Sequence, residues 1–202
     1  MSSIGPQYEP DDHFKAAARL HQSAYRAKVL KVGFDKYGNR LTEWAGRALL
    51  NYYDGLGVRE ALRQRYPTYT KSRDADMLRS EHIPFNLFAP LIGRHELTNR
   101  LLYRILGVEL LPPYQIEPEW APKPAEKYLG DRTSFDTYIK GTDDHGQVIG
   151  VGIEVKYTEQ GYRLGPSEAL RVRNPGSTYW TTTRKSGVFT NSGCKLLATA
   201  DL

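Results

Sequence analysis

Apolar residues recur with a helical period before residue 107 and with a strand period after it. In residues 94–107 they form a stripe of the kind that an amphipathic helix buries, and Gly107 stands where a glycine commonly ends a helix. The predicted stripe consists of Leu97, Leu101, Leu102, Ile105 and Leu106. Beyond Gly107 apolar and polar residues alternate, which indicates strands.

Three further segments before the change are predicted to be helical. Residues 12–31 combine good helix formers with acidic residues at the start and basic residues at the end. A turn at 35–40 separates them from a second predicted helix at 41–57. Residues 74–92 are apolar enough for a buried helix, although their internal prolines leave its bounds open.

The strand-like segments are residues 110–120, 133–140 and 147–157. The six residues 141–146 between the last two are of the types that form hairpin turns. Helices followed by a meander of strands predict an α+β domain with a helical N-terminal extension.

A hairpin turning near residue 145 pairs residues whose numbers sum to about 290. One face is then apolar and pairs Phe135 with Val155, Thr137 with Ile153, and Ile139 with Val151. The other face pairs Asp136 with Glu154, Tyr138 with Gly152, and Lys140 with Gly150, and it also carries Lys156. The two glycines are expected to leave this second face open to a bulky ligand such as DNA.

Two carboxylates face each other in this register, with a lysine beside them. Cβ atoms of directly opposed residues lie about 4.5–5.5 Å apart, so Asp136 and Glu154 repel unless a positive charge lies between them. Lys156 offers one positive charge, and Mg²⁺ or Mn²⁺ would offer two through oxygen ligands. The pattern therefore allows either an ion-pair network or a metal site for hydrolysis of a phosphodiester.

Composition indicates a globular protein and excludes several classes of protein and site, but it does not identify a function. Of 202 residues, 40% are hydrophobic and 25% charged, as in globular proteins, and no apolar run is long enough to span a bilayer. The N-terminal residues lack the features of a signal peptide, so a cytoplasmic location is expected. The single Cys194 excludes an internal disulfide and a cysteine-based zinc site. The formal charge of +5 is compatible with a polyanionic partner.

The segment TSFD, which ends at Asp136, followed by IEVKYTE, which carries Glu154 and Lys156, resembles the signature of the PD-(D/E)XK nuclease superfamily. With SEHIPFNLFAPL upstream, the chain is more narrowly similar to a bacterial branch of that superfamily. The resemblance implies a restriction-endonuclease-like αβββαβ core and a Mg²⁺-dependent DNA endonuclease, with Mn²⁺ as a substitute. A homodimer is also expected, because double-strand cleavage commonly uses two active sites.

The resemblance also implies roles for individual residues. Asp136 and Glu154 would bind the metal with help from the Val155 carbonyl, and Lys156 would serve the attacking water. Two further acidic residues are candidates for supplementing the metal site: Glu81, for which an ordinary exposed helix charge is the favoured alternative, and Glu119, which is favoured over Glu117 on the first strand. Apart from the resemblance, five cations of the tail are either candidates for phosphate contacts or ordinary surface charges: Arg163, Arg171, Arg173, Arg184 and Lys185.

The predicted organisation is a helical extension at residues 1–73 and a nuclease-like core at residues 74–202. The core of the superfamily needs another helix and a fourth strand after the hairpin, and the chain beyond Thr158 shows no clear pattern for either. The core is therefore expected to be irregular or incomplete at its C-terminus. A nucleic-acid-binding module that does not cut, or an incomplete nuclease fragment, stays an alternative.

Overall fold

Helices precede a three-stranded antiparallel sheet, as the change of period predicts. The computed structural model describes residues 3–130, 133–159 and 164–187. Contacts divide the chain into two units, Met1–Trp120 with Phe135–Thr158, and Ala121–Ser134 with Glu159–Leu202. The boundary predicted at residue 73 stays a prediction.

The described helices are α1 His13–Tyr25, α2 Glu43–Arg47, α3 Val58–Arg65, α4 Lys71–Ala75, α5 Ile83–Phe88, α6 His95–Leu106, α7 Pro166–Arg173 and α8 Thr178–Ser186. A π-helical turn follows α1 at Arg26–Leu30, and short 3₁₀ turns occur at Ser80–His82, Ala89–Leu91 and Ala125–Lys127. The strands are β1 Phe34–Asp35, β2 Tyr37–Leu41, β3 Leu111–Trp120, β4 Phe135–Thr142 and β5 Val148–Ile153. Within the residues described, no helix combines the length and the apolar character needed to cross a membrane.

The N-terminal part contains a β-ribbon that the sequence did not predict. Residues 35–40 were expected to form only a turn, but β1 and β2 pair around Lys36, which takes a left-handed conformation with φ 60°. Asp12 caps α1 by accepting a hydrogen bond from the Lys15 amide at 2.8 Å. Arg26 is fully buried behind the ribbon and donates to the Gly38 carbonyl at 2.7 Å.

The helix predicted at residues 41–57 is wrong beyond its first turns. Only α2 is helical there, and the chain then turns at Leu49, whose φ is 56°. Tertiary contacts explain the difference, since Tyr52 is buried in the core and its hydroxyl donates to Asp74 at 3.1 Å. Such contacts exceed the small differences in helix propensity that the prediction relied on.

Helix α6 confirms Gly107 as its C-terminal glycine, with φ 67°, but the predicted apolar stripe is wrong. The helix buries Thr98 and Leu102, whereas Leu97, Ile105 and Leu106 are exposed. Leu102 packs with Leu110 and Ile139 of the sheet. The buried face is rotated relative to the predicted stripe, because the Asn99 side chain fixes the helix on the chain that enters β3. Its amide donates to the Leu110 carbonyl and accepts from the Leu110 backbone N–H.

The sheet has the order β3–β4–β5, and its hairpin has the predicted register. Thr137 pairs with Ile153, Ile139 with Val151, Tyr138 with Gly152, and Lys140 with Gly150. Thr137 and Ile139 are fully buried, and α5 packs against β3 and β4. Period-two alternation set this register correctly because a slip of one residue would expose both of these side chains.

The second unit is helical in the part that the structure describes. There the chain forms α7 and α8 and no strand, so the expected fourth strand is not found among these residues. The two helices are joined by hydrogen bonds from the Tyr179 hydroxyl to Glu168 and from the Trp180 indole to the Val172 carbonyl, both 2.7 Å. Arg163 and Cys194 lie outside the described residues.

The ribbon leaves no room for a side chain at Gly38. A Cβ at this position would lie 2.1 Å from the Ile4 carbonyl oxygen and 2.6 Å from the Ser23 hydroxyl. We expect Gly38→Ala to lower the free energy of unfolding by about 1–3 kcal/mol, the usual effect of overpacking. The matched control is Gly33→Ala, whose Cβ would meet Thr42 at an ordinary 3.4 Å. Urea unfolding of both variants tests this, and equal midpoints would contradict it.

Candidate active site

Asp136 holds the backbone at the point where the β4–β5 ladder ends. The last paired residues of the ladder are Thr137 and Ile153. One step further, the Val155 amide donates to the Asp136 carboxylate at 2.5 Å. A side chain thus takes the place of the next strand-to-strand bond, and it fixes the chain segment that carries Glu154 and Lys156 close to Asp136.

Glu154 and Lys156 are in direct contact. The lysine ammonium donates to the glutamate carboxylate, and both side chains are more than half exposed. The strand predicted to run to Tyr157 ends at Ile153, so both residues lie on the chain just beyond β5. The two side chains contact each other, although neither residue lies in the strand that was predicted to carry them.

Glu119 lies near the end of β3, where the backbone departs from regular strand geometry. Its φ is 56°, in the left-handed region, and two consecutive residues, Pro118 and Glu119, are buried. The Tyr66 hydroxyl donates to the Glu119 carboxylate at 2.9 Å, and Arg65 donates to its carbonyl at 3.0 Å. These contacts from α3 and the residue after it hold a carboxylate whose residue is only 8% exposed.

Carboxylates from three separate segments interact electrostatically here. Burial raises the pKa of Glu119, the hydrogen bond from Tyr66 opposes this, and the charges of Asp136 and Glu81 raise it further. Glu81 lies in the 3₁₀ turn Ser80–His82 and pairs with Arg79, whose Nε donates to it at 2.6 Å. Burial and the Glu119 charge raise the pKa of Tyr66 to about 12, so its hydroxyl stays protonated and donates.

The oxygen donors of this region fit a hard divalent cation. Among the described residues, no group of three or more histidine, cysteine, aspartate or glutamate side chains is placed to hold a metal ion. Mg²⁺, however, is commonly bound by one or two carboxylates together with water and substrate phosphate, and it does not require a cage made by the protein. The mutual repulsion of Glu119, Asp136 and Glu81 is the property that such a cation would relieve.

The sheet face beside the site is covered by aromatic rings, and this corrects the expectation that Gly150 and Gly152 leave it open. A Cβ at Gly152 would lie 2.6 Å from the Phe135 ring, and one at Gly150 would lie 2.2 Å from the Tyr138 hydroxyl. Phe135 therefore lies with Tyr138 and not on the apolar face where it was predicted. Tyr138 also stacks on Trp120, with ring centroids 4.2 Å apart.

Tyr66 and Arg65 are the site contacts that sequence reasoning missed. They fall between the helices predicted at residues 41–57 and 74–92, and nothing in the spacing pointed to Glu119, which lies over fifty positions away. The cations Arg171, Arg173, Arg184 and Lys185 lie in the last turns of α7 and α8 and are exposed. Their contact with DNA stays a prediction.

The sequence matches one family of known proteins over nearly its whole length. A family model described as the PD-(D/E)XK nuclease superfamily matches residues 9–202. No curated protein and no solved structure matches the chain. The helices and the three-stranded antiparallel sheet agree with the α+β restriction-endonuclease-like fold of that superfamily.

The buried charge of Glu119 predicts a pH-dependent effect of Glu119→Gln. Because the pKa of Glu119 is raised in the folded protein, the folded state binds this proton more tightly than the unfolded state. As the pH rises from the ordinary carboxyl range through the raised pKa, the wild type loses stability relative to the glutamine variant. We expect Glu119→Gln to melt higher at pH 8 in EDTA, with the advantage lost at acidic pH.

Thermal melting across this pH range measures the effect. Glu117→Gln removes the same charge from an exposed position two residues earlier on β3 and serves as the control. A Glu119→Gln variant that is less stable than the wild type at pH 8 would contradict the prediction, because it would show that the ionised carboxylate is well compensated.

Proposed function

We propose that this chain, which belongs to the PD-(D/E)XK nuclease superfamily, is a metal-dependent DNA endonuclease. The observation that carries the proposal is that Asp136 holds the very segment on which Glu154 and Lys156 lie side by side. These are the residues that the superfamily signature assigns to the chemistry. The substrate is a phosphodiester of DNA, and the reaction is hydrolysis. Two copies of the chain would supply the two sites that cleavage of both strands needs.

The proposed metal ligands are the carboxylates of Asp136 and Glu154 and the carbonyl of Val155. Glu119 is the further ligand that the electrostatics favour, because its charge acts on Asp136. Glu81 is a weaker candidate, since it already pairs with Arg79. When bound, Mg²⁺ polarises the phosphate and lowers the pKa of a coordinated water.

Lys156 is proposed to act on the attacking water and on the phosphate. Its ammonium lies against Glu154, so the carboxylate fixes its position. From there the lysine orients the water and stabilises negative charge that develops on the phosphate oxygens. Because both side chains are exposed, a DNA backbone can reach them from solvent.

Lys156→Ala should abolish cleavage of a supercoiled plasmid. We expect the wild type to nick the plasmid in Mg²⁺ and Mn²⁺ and not in EDTA, and the variant to be at least about 100-fold slower, the usual contribution of such a group. The assay is gel separation of nicked and linear products over time. Lys140→Ala removes an exposed lysine from β4 and is expected to cut at the wild-type rate.

Circular dichroism must show that each protein is folded before the rates are compared. Equal rates for Lys156→Ala and the wild type would refute the catalytic assignment. A folded wild type that binds DNA in EDTA and never cuts would instead support the alternative of a binding module. That alternative has its own structural basis, because Lys156 is occupied by its ion pair with Glu154.

Divalent cations should stabilise the wild type through Asp136. Binding to the folded state alone adds about 2.7 kcal/mol when the cation is at 100 times its dissociation constant. Asp136→Asn keeps an oxygen acceptor for the Val155 amide and removes the charge, so we expect a folded protein with little or no shift of Tm in Mg²⁺ or Mn²⁺. The control is Asp144→Asn, at an exposed aspartate of the hairpin turn. No shift in the wild type would argue for an ion-pair network without a metal, and equal shifts in all three proteins would show that the cation binds elsewhere and contradict the assignment of Asp136.

A further inference from the structure

The first unit contains a cavity of about 600 Å³ that the proposed chemistry does not use. Its volume lies within the range of roughly 300–1,000 Å³ that is usual for small-molecule sites. Residues from α1, from the turn after α2 and from the 3₁₀ turn Ser80–His82 line it. The lining residues that matter here are His21, Gln22, Tyr25, Asn51, Tyr53 and His82.

The lining combines aromatic rings with polar donors, as a site for a flat polar ligand requires. Tyr25 and Tyr53 are 43% and 59% exposed, so their rings are accessible for stacking. The Nδ2 atom of Asn51 is buried and has no hydrogen-bond partner within the described part of the chain. A buried amide donor without a partner is unfavourable, and a ligand acceptor would satisfy it.

The part of the lining that carries Asn51 and Tyr53 is held in place by two other lining residues, Asn86 and Arg59. The Asn86 side chain accepts from the Tyr53 amide at 2.8 Å and donates to the Asn51 carbonyl at 3.1 Å. Arg59 donates to the carbonyl of Tyr52 between them at 3.2 Å. The backbone of the turn is thus fixed, which leaves the side chains of Asn51 and Tyr53 for a ligand.

The cavity is connected to the candidate active site at two points. Gln22, in its lining, donates to the Tyr157 hydroxyl at 3.2 Å, and Tyr157 follows Lys156 directly. His82, also in the lining, follows Glu81. Tyr157 thus contacts the lining and His82 forms part of it, so the residues that follow Lys156 and Glu81 are both tied to the cavity.

We propose that this cavity binds one unpaired nucleobase of the DNA strand presented to Lys156, an inference that rests on the proposed nuclease function. The base stacks on Tyr53 and accepts a hydrogen bond from Asn51 Nδ2. A base inside a duplex cannot reach such a cavity, so it must be unpaired or turned out of the stack. The protein therefore prefers DNA that carries an unpaired nucleotide near the cut.

A binding experiment tests this without cleavage. Full-length Lys156→Ala protein in Mg²⁺ is titrated against two fluorescent duplexes, one fully paired and one with a single-nucleotide bulge. We expect the bulged duplex to bind about tenfold more tightly, the usual effect of stacking one base on an aromatic ring. Adding Tyr53→Ala should remove the preference. Tyr103→Ala, at a tyrosine on α6 with nearly the same exposure, should keep it.

Asn51→Leu gives a second variant that is not expected to disturb folding. Removing an unpartnered buried donor should leave Tm unchanged or raise it, and the preference for the bulged duplex should fall. A preference that survives in both Tyr53→Ala and Asn51→Leu would overturn the proposal. With the cavity unmodified, similar affinities for the two duplexes, or no binding of either, would overturn it as well.

Three further outcomes separate this inference from the proposed activity. If free deoxynucleoside monophosphates compete as well as the bulged duplex, the cavity is a site for a free nucleotide and the strand assignment is wrong. If the wild type never cuts but shows the preference, the binding inference stands and the nuclease assignment fails. If it cuts paired and bulged duplexes with the same efficiency and affinity, the nuclease assignment stands and the cavity has no role in substrate choice.

Discussion

The candidate site depends on the hydrogen bond between the Val155 amide and the Asp136 carboxylate. Backbone pairing between β4 and β5 stops at Thr137 and Ile153, and this bond extends the connection beyond the sheet. A carboxylate that accepts a backbone donor is held in one orientation, and it holds the donor segment in turn. Glu154 and Lys156 flank Val155, so one side chain of β4 determines where both of them lie.

The site also contains a charge that is costly to bury. Glu119 combines a left-handed backbone conformation with burial of a charged residue, and both features oppose folding. Tyr66 and Arg65 offset part of that cost from another helix. Strained and poorly solvated groups of this kind concentrate at functional positions, because a site needs its charges placed before the ligand arrives.

The sequence was sufficient where one local pattern determined the structure. Alternation matched Ile139 with Val151 and Thr137 with Ile153, and these two pairs set the hairpin and its neighbouring acidic residues. The sequence was insufficient where contacts between distant residues determined the local structure. The Asn99 side chain fixes which face of α6 is buried. The hydrogen bond from Tyr52 to Asp74 lies where the predicted helix 41–57 has already ended. Glu119 is contacted by Arg65 of α3 and by Tyr66, the residue after that helix.

The raised pKa of Glu119 links the proton and the proposed cation at this site. Burial and the neighbouring charges of Asp136 and Glu81 favour any positive charge that neutralises the carboxylate, whether it is a proton or a metal. A carboxylate must lose its proton to act as a ligand, so the two compete and metal affinity increases with pH. The same burial that raises the pKa of Glu119 therefore also favours the proposed cation, which would add to the partial compensation that Tyr66 and Arg65 supply.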